Sequence, residues 1–323
     1  MGNCLKQSKK STAEIAPYDF IKSTAATAVK LYGSPTSAFT SYIRFALLYK
    51  TLSLDFIPTS GMPLILQIGA DYISGTRDTV LQFIDAQFPQ PPLLMKECDG
   101  FGKTTLLILA AVVLQHRSVI WHLERMVRWG EDLAARGGRK NVDPAMGTPR
   151  MEIRKFSKSY SQLLEFMVEH AQMEERVVFP ILEMADRGLC KAANEEHARA
   201  LPIMNGIKED IKTIGVLDTG SPDYQDALCN LSTRLKSLLE HSKKHFEEEE
   251  RVILPLMEAV ELSKEQQMRT LEQCFDLMQG THSHLFNFLL EGLLPWEAMH
   301  YLDLIISCKD EERAASMLQR IIE

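Results

Sequence analysis

The hydrophobic rhythm of the chain changes near residue 104. Before that point, short apolar runs are separated by Gly and Pro breaks. They predict a strand over 29–33, a turn at Ser34 and Pro35, and a helix over 38–50 with Ile43, Ala46 and Leu47 on one face. Further strands over 54–57 and 63–68 and a helix over 78–87 complete a small α/β unit. Beyond residue 104, strand signals vanish and apolar positions recur at helical spacing. Helices are predicted over 104–136, 150–186, 189–214 and 221–262, broken by Gly- and Pro-rich segments and by Arg187 and Gly188. Four long helices with short connections predict an antiparallel bundle whose interior can hold a metal. Two amphipathic segments, 265–291 and 298–322, extend it. The expected architecture is therefore mainly α: a tip over 1–27, the α/β unit over 28–95, the bundle over 104–262 and a helical extension over 263–323.

An internal repeat sharpens this reading. Residues 163–185, LLEFMVEHAQMEERVVFPILEMA, align without gaps on residues 238–260, LLEHSKKHFEEEERVILPLMEAV. The shared skeleton is LLE, then His170 with His245, Glu174 with Glu249, EERV, and Pro180 with Pro255. Two core helices can share an apolar pattern for packing reasons alone. A duplicated His-x3-Glu inside that pattern needs another cause. Residues four apart project from one helix face, and this face is apolar, with Leu163, Phe166, Met167, Met173, Val177 and Ile181 around His170 and Leu238, Val252, Ile253 and Leu256 around His245. Burying imidazole and carboxylate without partners costs several kcal/mol, so a cation is expected between them.

The other two bundle helices each offer one inward histidine. His116 shares its face with Leu109, Val112, Val113, Ile120, Leu123 and Val127, whereas His122 lies among Gln115, Ser118 and Arg125 and reads as facing away. In the third helix His197 lines up with Ala193, Ala200, Leu201 and Met204. The candidate ligands are thus His116, His170, Glu174, His197, His245 and Glu249. An N/O donor set without thiolate suits iron, then manganese or zinc. A single zinc would be satisfied by four ligands, so six fit a pair of irons, with Glu174 and Glu249 bridging. Glu175, Glu247, Glu248 and Glu250 read as solvated or as partners of ligands, and His282, His284 and His300 have no partner pattern.

The pattern H...HxxxE...H...HxxxE from about Leu106 to Val260 resembles the hemerythrin-like HHE cation-binding family. The resemblance implies a non-haem diiron site that carries or senses dioxygen, senses iron, or takes part in redox signalling. Oxygen-carrying members have a second histidine one turn along the third helix, where Ala193 and Leu201 stand here, which speaks against oxygen transport. His241 is a candidate fifth nitrogen or a donor that orients a ligand; a solvated side chain is the alternative. The C-terminal segment, with its Leu294-Pro295-Trp296, resembles the helical tails of iron-regulated plant ubiquitin ligases, without RING-type cysteines or an F-box. It reads as a packing or docking element.

The α/β unit has the element order of a thioredoxin-like fold. Through SPTSAFTSYIRFALLYKTL, MPLIL and DTVLQFIDAQFPQPPL it resembles the N-terminal domain of glutathione transferases, with Pro63 at the place of that family's cis-proline. The family's Glu-Ser pair for the γ-glutamyl group falls on Thr76 and Arg77, and only Ser34 or Ser37 could activate a thiol. The unit therefore reads as degenerate. A glutathione-dependent transferase or reductase is the competing function, and a metal-free helical adaptor at the membrane is a third.

Composition adds limits. The 323 residues are 45% apolar and 24% charged, an ordinary globular balance, and the net charge of -7 disfavours phosphate backbones as partners. The longest apolar run, 106–114, is far short of the roughly 20 residues that span a bilayer. Six scattered cysteines and the lack of a signal-type apolar segment imply reduced thiols and a cytoplasmic or nuclear protein. The opening Met-Gly-Asn-Cys makes Gly2 a myristoylation candidate, although Lys6 replaces the usual Ser or Thr, and Cys4 with Lys6, Lys9 and Lys10 would supply the further signals for attachment to the plasma membrane.

Overall fold

In the computed structural model, residues 29–50, 52–94, 106–308 and 315–319 are described; Gly2 and Cys4 lie outside them. Strand β1 (Val29–Gly33) is followed by helix α1 (Ala38–Leu48), strands β2 (Leu54–Pro58), β3 (Ile65–Ile68) and β4 (Asp71–Ile73), and helix α2 (Arg77–Gln87). The sheet order is β2-β1-β3-β4. β1 pairs with β2 in parallel, as a strand-helix-strand crossover requires, while β3 runs antiparallel to both β1 and β4. Alternation in β1 sends Val29 and Leu31 into the core. β4 escapes the sequence pattern because it is three residues long and two of the three are exposed. The cis peptide bond among the described residues is Gln90–Pro91, not the bond before Pro63, which departs from the resemblance noted for Pro63.

Polar contacts hold this unit as much as apolar ones. Lys50, fully buried, donates to Asp85 at 2.7 Å and to the carbonyls of Phe88 and Pro91. Asp85 also accepts from the backbone of Leu93 and Leu94. The cation is thus matched by a carboxylate and two carbonyl dipoles, the condition for burying it. Ser37 and Thr76 are spent as N-caps of α1 and α2.

The bundle is built from α3 (Leu107–Arg136), α4 (Pro149–Met173), α6 (Lys191–Val216) and α7 (Pro222–Glu248), with α7 packed along α3 and α6. Thr148-Pro149 and Ser221-Pro222 start α4 and α7 as cap followed by proline, and Gly137 in the left-handed region ends α3. The second and fourth helices do not run on as the sequence pattern predicted. α4 passes into a π-turn at Glu174–Val178 and then the short α5 (Phe179–Leu182); α7 passes into a π-turn at Glu249–Ile253 and a 3-10 segment, Leu254–Val260. The N–H of Phe179 reaches the carbonyl of Glu174, and that of Leu254 the carbonyl of Glu249, five residues back in each case.

The repeated prolines explain this. Pro180 and Pro255 have no N–H, and their rings exclude the carbonyls of Arg176 and Arg251 from a regular α ladder. A widened turn inserts one residue and moves every later side chain by one position. The predicted inward set Val252, Ile253, Leu256 becomes Ile253, Leu254, Met257, while Val252 and Leu256 are 42% and 39% exposed. In the first repeat Leu182, fully buried, replaces Ile181.

The extension folds as α8 (Lys264–Leu277), α9 (Phe286–Glu291) and α10 (Pro295–Ser307), so 265–291 is two helices rather than one. It covers the face of α3 that carries Gln115, Ser118 and His122, all of them buried. That face is a docking surface, contrary to its polar reading. Ser118 donates to the carbonyl of Leu289 at 2.7 Å, and His122 donates through Nε2 to the carbonyl of Phe288 at 2.6 Å while stacking on its ring. Gly292 permits the approach: a Cβ there would stand 2.8 Å from the Ser118 Cα. Arg77 of α2 pairs with Asp303 of α10 at 2.9 Å, which ties the α/β unit to the extension.

Candidate metal centre

Four helices deliver the six sequence-predicted donors to one buried place. α3 brings His116, α4 brings His170 with Glu174 at its end, α6 brings His197, and α7 brings His245 with Glu249. Because each glutamate follows its histidine by four residues and still closes the α-helical bond back to it, the two side chains share a face: His170 Nε2 lies 3.2 Å from Glu174 Oε1, and His245 Nε2 lies 3.6 Å from Glu249 Oε1. His116 Nε2 is 3.4 Å from both Glu174 Oε1 and Glu249 Oε2, and His197 Nε2 is 3.4 Å from Glu174 Oε2.

These distances divide the donors into two lobes. His116 and His170 meet one oxygen of Glu174, and His116 one of Glu249; His197 meets the other oxygen of Glu174, and His245 the other of Glu249. Each carboxylate therefore spans both lobes. Glu174 belongs both to the group with His116 and His170 and to the group with His197, His245 and Glu249, with the donor atoms of each group within 4.8 Å of one another.

The hydrogen bonding fits a cation. His170 Nε2, His245 Nε2, Glu174 Oε2 and both oxygens of Glu249 are buried without a hydrogen-bond partner. Each such atom costs on the order of 1–3 kcal/mol if left so. Buried Glu152, by contrast, is matched by Arg136 at 2.6 Å. Among the described residues, the ion pairs of Glu174 and Glu249 are all to imidazoles.

Protonation tells the same story. Burial works against charge on His116 and His197, but hydrogen bonds to Glu174 and to Glu250 or Glu175 outweigh it and raise both to about 9. Burial, reinforced by the neighbouring imidazoles, lowers His170 and takes His245 down to about 3. Burial also opposes charge on Glu174, yet the imidazoles around it hold it well below the usual carboxylate range. Burial and the Glu174 charge push Glu249 up. Without a metal, protons stand in for positive charge, and a metal must displace them.

Behind the donors lies a set of contacts that the sequence left largely unassigned. His116 Nδ1 meets Glu250 Oε1 and His197 Nδ1 meets Glu175 Oε1, each at 2.9 Å. The EE pair of each repeat thus divides its roles: the first glutamate faces the centre, and the second orients the lone histidine of another helix. His170 Nδ1 donates to Gln115 Oε1 at 2.8 Å, Gln115 Nε2 donates to the Tyr301 hydroxyl at 3.0 Å, and that hydroxyl lies 2.8 Å from His282 Nε2. The bonds at Nδ1 of His116, His197 and His170 each fix a tautomer that leaves Nε2 free to bind a cation. Gln115 and His282 had no periodic signal, because the extension that buries them was read as a separate element. His241 stands apart from the centre. Its Nε2 meets the backbone carbonyl of Glu196 at 3.1 Å, and its ring lies 6.4 Å from that of His245. His122, His282, His284 and His300 are not part of the donor groups.

A four-helix bundle with a buried imidazole and carboxylate core is of the class that can hold a cation between its helices. Residues 107–257 match the family model of the hemerythrin HHE cation-binding domain. The chain matches no curated protein and no solved structure.

Proposed function

We propose that the bundle holds a non-haem pair of iron ions and reports iron, dioxygen or redox state rather than transporting oxygen. The observation that carries this is the sharing of both carboxylates between two pairs of imidazoles. His116 with His170 would hold one ion and His197 with His245 the other, while Glu174 and Glu249 would join them. Such a pair supplies reversible one-electron chemistry and affinity for small oxygen-containing ligands. The chain's own part is to keep the site dry, to fix four imidazole orientations, and to register occupancy. Topology supports the last. Ligands from four separate helices make occupancy a condition of bundle order, and the Gln115-Tyr301 contact carries that order into α10.

The α/β unit is read as an accessory. Strand order and direction support the thioredoxin-like reading. Ser37 and Thr76 serve as helix caps and Arg77 is paired with Asp303, which leaves little for glutathione. Acylation at Gly2 and Cys4 would hold the protein at a membrane surface; among the described residues no helix is long and apolar enough to cross one. The test is hydrogen exchange of the full chain with and without iron, under anaerobic conditions and in air. Iron is expected to protect α3, α4, α6 and α7 and, through α10, the extension. Identical exchange in all states would refute a sensing role.

A further inference from the structure

A cavity of ≈ 250 Å³ lies between α4, α6 and α7, against the centre. Its floor is formed by His170, His197 and His245. Two of these, His170 and His245, are buried with Nε2 unpartnered. Its walls include Met167, Met204 and Phe246, and Leu201, 49% exposed, stands at its edge. The volume decides what class of ligand it suits. A cavity of about 150 Å³ holds benzene, so this one takes about ten non-hydrogen atoms, far more than a diatomic gas.

Charge narrows the class further. Glu175 lines the cavity with no Lys or Arg beside it, and Glu174 and Glu249 lie behind its floor, which disfavours an anion while no metal is bound. Thioether and phenyl walls give a small cation nothing to replace its hydration. Neutral polar anchors are present, with the side chains of Gln172, Asn194 and Ser242 in the lining. Pro202 interrupts the ladder of α6 and offers no N–H to the carbonyl of Ala198, a residue that lines the cavity. We infer that this chamber binds a neutral, largely apolar aromatic molecule of indole size, with one donor group, beside the metal position of His197 and His245. The inference rests on the metal reading for what the ligand meets at the floor, while the walls stand without it.

The test uses the full chain, iron-loaded and chelator-stripped, titrated calorimetrically with indole and separately with benzoate. Indole is expected to bind at one site with a dissociation constant on the order of 10–100 μM, and benzoate to bind the chelator-stripped chain at least tenfold more weakly. Ala200→Phe on α6 and Met167→Trp on α4, which fill the chamber from opposite sides, should each weaken indole at least tenfold with bound iron unchanged. Absence of saturable indole binding in both forms, or undiminished binding to a folded filling variant, overturns the inference. Indole binding by a chain that takes up no metal upholds the chamber and refutes the metal reading. Iron uptake without indole binding does the reverse.

Discussion

Gln115→Leu tests whether the contacts behind the donors shape the site. Gln115 is fully buried and links His170 Nδ1, at 2.8 Å, to the Tyr301 hydroxyl, at 3.0 Å. Leucine keeps most of the volume and removes both bonds. Tyr301 retains His282, but the Nδ1 of His170 is left in a dry interior with no acceptor. A buried donor so stranded costs about 1–3 kcal/mol. Much of that penalty falls on the metal-bound form, in which Nε2 is committed and the ring cannot turn to share its proton. At about 1.4 kcal/mol per tenfold, metal affinity should fall roughly 10- to 100-fold, the range that loss of such a partner produces elsewhere. The assay is chelator competition against iron(II) at fixed pH. Ser118→Ala is the control, since Ser118 is equally buried on the same helix and its bond runs to Leu289 rather than to a donor. It should lower stability by about 1 kcal/mol without changing affinity. Wild-type affinity in Gln115→Leu, or an equal loss in both variants, would refute the reasoning.

Other consequences are equally open to measurement. The one-residue shift after each π-turn predicts that Leu182→Ala costs about 2–5 kcal/mol while Ile181→Ala costs clearly less, with the same contrast between Met257→Ala and Leu256→Ala; denaturant titration separates them, and equal pairs would restore the continuous helix. Burial, aided by Arg125 and opposed by the bond to Phe288, holds His122 down to about 3. The unfolded chain protonates this ring near pH 6.5 and the folded chain does not, so its contribution is present above that pH and fades as pH falls toward 3. At pH 5 the loss is about 2 kcal/mol, and His122→Phe should flatten the pH dependence of unfolding by that amount; an unchanged slope would show that His122 is not the origin. Lys50→Met removes the cation beside Asp85 and leaves the carbonyls of Phe88 and Pro91 without their donor, which should destabilise the α/β unit by about 1–3 kcal/mol. Protease resistance of residues 29–94 at wild-type level would contradict it.

How much of this was legible in the sequence depends on range. The repeat of His170, Glu174 and Pro180 as His245, Glu249 and Pro255 is local, and so are the apolar faces of His116 and His197; these six donors do converge. The π-turns were written in the same repeat, in its prolines, but a search for continuous helical period absorbs one inserted residue without notice. Val252 and Leu256 were placed inward for that reason and are exposed. His122 failed differently. Its neighbours Gln115 and Ser118 are polar, and only a partner about 170 residues away turns them inward. The same distance concealed Tyr301. No periodicity marks a residue whose role is to receive a hydrogen bond from another helix.

The central claim is that Glu174 and Glu249 join two metal positions, each with its own pair of imidazoles. Metal analysis of the full chain by mass spectrometry, beside Glu174→Gln and the paired variants His116→Ala with His170→Ala and His197→Ala with His245→Ala, tests it most directly. Two iron ions per chain are expected in the wild type, a strong loss of both in Glu174→Gln, and no more than one in either paired variant. A wild-type chain that binds a single ion, or a Glu174→Gln chain that stays fully loaded, would contradict it.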